Sequence, residues 1–161
     1  LISIPYKLRA QQEEIDSLKL ELNNTEGLGL ISTLIELSWY YKSIDVDSSL
    51  QYAKDAIKLA HRSKNPLLLS KSYNSLGNAY QALAMYDSAM INIEKSIDFK
   101  LSAGDSTDLA ISFNNMGIIF DEKGQYNEAL ESYFEGLEIA NRKGENLNKA
   151  NILSNIDSHV F

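Results

Sequence analysis

The chain repeats itself at a fixed distance. Tyr73-x-x-Leu76-Gly77-x-x-Tyr80 returns 40 residues later as Phe113-x-x-Met116-Gly117-x-x-Phe120. The register extends past the glycines: Ser49, Ala89 and Ala129 keep it, as do Ala56, Ser96 and Gly136, and Ile57, Ile97 and Leu137. Polar sets keep it too, through Asp47, Asp87 and Asn127 and through Asn65, Asp105 and Glu145. Self-similarity at such a period is the mark of stacked supersecondary units, each unable to bury its apolar face alone. Gly77 and Gly117 lack a Cβ, so a neighbouring helix approaches closely, at a cost of about 1 kcal/mol in helix propensity. Ala89 and Ala129 allow the same approach from the other side, and large residues fill the remaining space.

An aromatic, then Leu-Gly, then Tyr, then a small residue and a large one resembles the tetratricopeptide repeat. One copy uses Tyr73, Leu76, Gly77, Tyr80, Ala89 and Ile93; the next uses Phe113, Met116, Gly117, Phe120, Ala129 and Tyr133. A degenerate first copy runs through Leu34, Leu37, Ser38 and Tyr41, with Ser in place of Gly and one residue fewer before Ser49. A partial fourth runs through Leu153, Ile156, Asp157 and Val160, with Asp in place of Gly. The resemblance implies an all-α fold, a right-handed superhelical solenoid of helix-turn-helix repeats. We place a capping helix at 1–24 and the array at 25–161, with repeats near 26–64, 66–104, 106–144 and 146–161. The common repeat is about 34 residues long and ends in Pro. Here the period is 40, and Gly104 or Gly144 is the terminator. Each helix is therefore expected to be longer by about one turn. Long repeats of this kind resemble those of kinesin light chains and of bacterial sensory proteins.

Residues 6–23, after Pro5, read as an amphipathic helix with Leu8, Ile15 and Leu22 seven residues apart and Leu18 beside them. It caps the first repeat or serves as a dimerisation or linker helix; Gln11 interrupts the seam, and the run is too short for a coiled coil. Helix A of the first repeat is expected to run to about Lys42, and helix B to start after Asp47. Asp47, Asp87 and Asn127 are the expected N-caps, because their side-chain oxygens accept orphan backbone N–H groups. Asn65-Pro66 is a further start signal, and Gly104 and Gly144 are stops. Ile156 and Val160 need covering, which favours a fragment of a longer array over a chain that ends in its own cap.

Composition removes several functions. No apolar run of about 18 residues spans a membrane. With no cysteine, disulfides, thiolate metal sites and cysteine nucleophiles are excluded. A net charge of −7 without a basic stripe argues against direct nucleic-acid binding. There is no phosphate-binding loop, zinc-protease helix, nucleophile elbow or dinucleotide fingerprint. His61 lies near the end of a helix B, where a cation suits the dipole, and His159 near the end of the chain. The expectation is a non-enzymatic chain with no cofactor and no metal site.

What remains is a surface. In the tetratricopeptide family helix A lines a concave groove that holds extended peptides or partner helices. Carried over by position, the resemblance marks Trp39 and Lys42 with Ile35, then Lys71, Asn74, Asn78 and Gln81, then Asn114, Ile118 and Asp121, then Asn151 and Ser154 with Ser158. Asn74 and Asn114 share the 40-residue register, so they are expected to stack as a ladder whose amides match the alternating C=O and N–H of a peptide backbone. In a chain this rich in asparagine the same pair also reads as composition alone. Trp39 is an apolar anchor or a core residue. Lys71 and Lys42 are too few for a clamp on an acidic C-terminal tail. We therefore expect a protein or peptide partner and no membrane contact. The alternative is self-association, a homodimer formed through the terminal helices. The phrase Asp87-Ser88-Ala89-Met90 resembles arrays in Bacteroidetes-type sensor proteins, which implies a sensory or scaffolding region of a bacterial signalling protein, placed outside the cytoplasm.

Overall fold

The computed structural model describes residues 6–104 and 108–158, with side chains from residue 9 onward. Pro5, Asp105, His159, Val160 and the side chain of Leu8 lie outside the described residues. Among those described, the order is α1 (Tyr6–Asn24), α2 (Gly27–Tyr41), α3 (Val46–Ser63), α4 (Pro66–Ala82), α5 (Tyr86–Ser102), α6 (Leu109–Glu122), α7 (Tyr126–Lys143) and α8 (Asn146–Asp157), with no strand. Short turns fold α2 with α3, α4 with α5 and α6 with α7 into helix hairpins. Each hairpin touches only its neighbours, and α2, α4, α6 and α8 lie side by side. The result is a solenoid with helices A on one layer and helices B on the other. On α1, Ile15 and Leu18 are buried and Leu22 packs into the cluster around Ile31. Gln11 Nε2 donates to the Tyr40 carbonyl at 3.5 Å.

The small–large exchange between helices A and B explains both the regular repeats and the irregular one. A Cβ at Gly77 would stand 2.7 Å from Ile93 Cδ1, and one at Gly117 would stand 2.4 Å from the Tyr133 ring. In the first repeat Ser38 takes the glycine position, and Ala53 stands 40 residues before Ile93. The large partner has become small, so a side chain on helix A fits. Ser49 Oγ then donates to the Ser38 carbonyl at 2.7 Å, and the two hydroxyls lie 3.2 Å apart in the buried interface. The first copy is thus a different solution to the same close approach.

Helix starts depart from expectation in three places. Asp47, Asp87 and Asn127 sit inside the first turns of α3, α5 and α7, whose N-caps are Asp45, Met85 and Gln125. Asp45 accepts from Ser48 N–H at 3.5 Å and from its hydroxyl at 2.5 Å. The N-caps of α5 and α7 make no side-chain cap bond. Met85 N–H donates to the Tyr80 carbonyl at 3.0 Å and Ala84 N–H to that of Gln81 at 2.8 Å. The same two bonds recur 40 residues on, from Gln125 and Gly124. These are Schellman closures of helix A. The residue that completes one helix is therefore also the N-cap of the next. Ala84 and Gly124 accordingly adopt left-handed backbone, φ 55° and 75°. Between repeats Lys64, Gly104 and Gly144 are left-handed, again in register, and Asp108 is left-handed at the start of α6. The start at Asn65-Pro66 is as expected, with Asn65 Oδ1 accepting from Leu67 and Leu68.

Candidate binding groove

Side-by-side packing of α2, α4, α6 and α8 leaves a concave channel with two connected lobes. One, of about 480 Å³, is lined by Trp39, Lys42, Asn78, Gln81, Asn114, Asn115, Ile118, Asn148, Asn151, Ser154 and Asn155, with Ile111 at its base. The other, of about 420 Å³, is lined by Ile35, Glu36, Tyr40, Lys71, Ser75, Lys100 and Asp108. Trp39, Asn74, Asn78 and Ile111 face both. The helical period accounts for the set. Residues four apart share one face, so Ile35 with Trp39, Asn74 with Asn78, and Asn114 with Ile118 point the same way.

Of the residues expected at the groove, Trp39, Lys42, Lys71, Asn74, Asn78, Gln81, Asn114, Ile118, Asn151 and Ser154 line it. Asp121 does not: its carboxylate accepts from the buried Tyr133 hydroxyl at 2.5 Å. The phenol is pushed above its ordinary range, by burial first and then by that bond. Asp121 therefore belongs to the A–B interface of its own repeat. Ser158, at the C-cap of α8, donates to the Asn155 carbonyl.

Trp39 is 59% exposed on the wall, so it is a groove residue and not a core one. Lys42 Nζ stands 4.2 Å from its ring centroid, a cation–π contact. Burial lowers the pKa of Lys42, and the charge of Glu122 acts against that shift.

The asparagines are bonded to one another across repeats. Asn115 Nδ2 donates to Asn74 Oδ1 at 3.2 Å, and Asn155 Nδ2 donates to Asn114 Oδ1 at 2.8 Å. Gln81 Nε2 reaches Glu122 Oε2 at 3.1 Å. Each of these spans 41 residues, one more than the repeat. Asn115 and Asn155 escaped the sequence reading, although that offset was its available signal.

Lys100 was missed as well. It sits in register with Ala60 and Ala140, is 5% exposed, and donates from Nζ to the Asp108 carbonyl at 2.7 Å and to Ser112 Oγ at 3.0 Å. It ties helix B of one repeat to the start of α6 beneath the groove. The acidic surplus lies elsewhere, with Glu128, Glu131, Glu135 and Glu138 along the exposed face of α7. His61 is exposed, as expected, with Nε2 3.1 Å from the Tyr73 hydroxyl.

Among the described residues, no helix is long and apolar enough to cross a membrane. Residues 68–142 match the family model of the tetratricopeptide repeat. No curated protein matches the chain significantly. Among solved structures, the TPR domain of Arabidopsis FLU superposes with a TM-score of 0.62 at 15% identity, covering 67% of this chain and 92% of that one. BtubC (BKLC) from P. vanneervenii gives 0.71 at 21%, covering 92% and 62%. MamA gives 0.57 at 17%, covering 99% and 98%. At such identities the likeness concerns the fold. The match covers most of α4 to α7, and the whole stack of helix pairs shares the solenoid fold of these structures; tetratricopeptide domains generally mediate contacts between proteins.

Proposed function

We propose that the chain is a non-enzymatic interaction module that holds an extended peptide segment of a partner protein in its concave groove. The observation that carries this reading is Trp39. A largely exposed indole on the wall of a polar channel, shared by both lobes, is the kind of aromatic anchor that dominates protein interfaces. The carboxamides around it suit a backbone, which offers the same donors and acceptors at every residue. In this proposal the array is the sensory or scaffolding region of a larger bacterial signalling protein outside the cytoplasm, and peptide capture is its input.

The test is selection from a phage-displayed library of random 12-residue peptides, followed by calorimetry on the synthesised winner. Trp39→Ala should weaken that peptide by about 2 kcal/mol, roughly 30-fold, with little change in melting because the ring is exposed. Failure to select any peptide, or a winner indifferent to Trp39→Ala, overturns the reading.

A second reading is self-association through the terminal helices. It rests on Leu147 and Leu153, 75% and 37% exposed on α8, and Leu20, 66% exposed on α1. Light scattering should then show a dimer that Leu147→Glu with Leu153→Glu dissolves; a monomer at all concentrations removes this reading.

A further inference from the structure

The side of α8 that corresponds to the A–B crossing of the earlier repeats is uncovered among the described residues. Ala150 is exposed, whereas its counterparts 40 and 80 residues earlier, Ala110 and Ser70, are both 0% exposed. Leu153 is 37% exposed, whereas its counterparts Phe113 and Tyr73 pack into core clusters. Asp157 stands where Gly117 and Gly77 stand. At those glycines a mere Cβ would come to 2.4 Å and 2.7 Å from helix B. A helix that crossed α8 in the same way would press a carboxylate into the contact and strip it of water. Whatever covers this side must therefore answer its charges. It carries one of each sign: neither the Lys149 ammonium nor the Asp157 carboxylate has an ion pair or hydrogen bond with a described residue.

We infer that this side of α8 pairs with α8 of a second copy, antiparallel, about a twofold axis at Leu153. Lys149 lies four residues before Leu153 and Asp157 four residues after it; Ala150 lies three before and Ile156 three after. In a twofold contact each residue meets the one equally far on the other side of the axis. Two Lys149–Asp157 pairs then flank a Leu153–Leu153 contact, and the small Ala150 leaves space at the level of the half-buried Ile156. A parallel pairing would set lysine against lysine and aspartate against aspartate, which costs free energy. This rests on the self-association reading above and narrows it to α8. Leu147, Asn151 and Ser154 follow at helical spacing on another side of the same helix, where Asn151 and Ser154 line the groove. Pairing about Leu153 therefore leaves Leu147 outside the contact and both grooves open.

The contact is a single 12-residue helix on each side, so the dimer is weak and sensitive to salt. Sedimentation equilibrium over a dilution series at low salt reads it. Lys149→Asp and Asp157→Lys each turn two attractive pairs into repulsive ones, and each should weaken the dimer at least about tenfold. Mixed in equal amounts, the two variants should dimerise again, because one then carries acids and the other lysines at both paired positions. Both side chains are exposed, circular dichroism checks the fold of each variant, and recovery on mixing excludes misfolding as the cause of the loss. Leu147→Glu should leave the dimer unchanged. Charge variants that dimerise as the parent does overturn the inference, as does a mixture that stays monomeric. A dimer indifferent to the charge changes but lost in Leu20→Glu refutes pairing through α8 and leaves self-association standing. A parent chain that is monomeric at every concentration fails the self-association reading itself.

Discussion

Gly117→Ala should destabilise the array, and the same substitution should stabilise it once Tyr133 is gone. The added Cβ would stand 2.4 Å, 2.5 Å and 2.8 Å from three atoms of the Tyr133 ring. The ring has no room to move: it is 1% exposed, and its hydroxyl is bound to Asp121. Overpacking of this kind costs about 1–3 kcal/mol, and a rigid ring met at three points belongs at the upper end. Against that, Ala is preferred over Gly in a helix by about 1 kcal/mol. The net for Gly117→Ala is about 2 kcal/mol of lost stability. Tyr133→Ala alone costs about 3–5 kcal/mol, by analogy with other large aromatic truncations. In the double variant the clash vanishes and only the propensity gain remains, so it should be about 1 kcal/mol more stable than Tyr133→Ala. Additivity fails by about 3 kcal/mol, with a change of sign. Urea unfolding followed at the helical dichroism band measures all four proteins, provided their m-values agree. If Gly117→Ala is neutral in the parent, or equally harmful in the Tyr133→Ala background, the close approach is not what the glycine serves.

Ala84→Gly should raise stability by about 1 kcal/mol, because Ala84 holds a left-handed backbone that suits glycine better; Lys64→Gly should act the same way, and a thermal melt reads both. Lys100→Ala restores the residue of the neighbouring repeats but strands the buried Ser112 hydroxyl and leaves the Asp108 carbonyl only its bond from Ser112 N–H, at about 1–3 kcal/mol; a melt within error of the parent counts against that role. Asp45→Ala should lower the melting temperature by removing the N-cap of α3. The Ser48 hydroxyl holds the Asp45 carboxyl below its usual range. A depressed folded pKa makes this contribution full above the ordinary aspartate value of about 3.9, and it is lost as pH falls through the lower folded value. The parent and Asp45→Ala should therefore converge in melting temperature at acid pH, and a gap that persists there contradicts the assignment.

The groove was legible because it depends on helical phase alone. Once Tyr73 and Phe113 mark the face toward helix B, Asn74 with Asn78 and Asn114 with Ile118 must turn to the other side. Asp121 failed the same rule for a tertiary reason. Its phase permits the groove, but Tyr133 on α7 offers a buried hydroxyl within reach. Lys100 failed in the other direction. A lysine in an alanine register reads as a surface exchange, and only the αL turn at Asp108 places a carbonyl where its ammonium can be satisfied. The misplaced N-caps have a local cause. Asp, Asp and Asn in register are good caps by side-chain chemistry, yet the Schellman closure of helix A at Met85 and Gln125 starts helix B two residues earlier.

The first repeat shows why a motif is a weaker guide than the contact it serves. Judged by glycine, it is degenerate. Judged by position, Ser38 stands where Gly77 and Gly117 stand and Ala53 where Ile93 and Tyr133 stand, so the side chain on helix A has grown where the one on helix B has shrunk. The constraint acts on the pair, because a close-packed interior accepts a larger side chain on one helix only where the facing one is smaller. It follows that the first repeat's solution should be portable. Gly77→Ser with Ala89→Ser and Ile93→Ala rebuilds the Ser38–Ser49–Ala53 arrangement one repeat along, including its buried hydroxyl pair. The triple variant should unfold at a higher urea concentration than Gly77→Ser alone, even though Ile→Ala in a core ordinarily costs about 2–5 kcal/mol. A triple variant less stable than Gly77→Ser would mean that the first repeat's crossing geometry, and not its paired volumes, accommodates the serine.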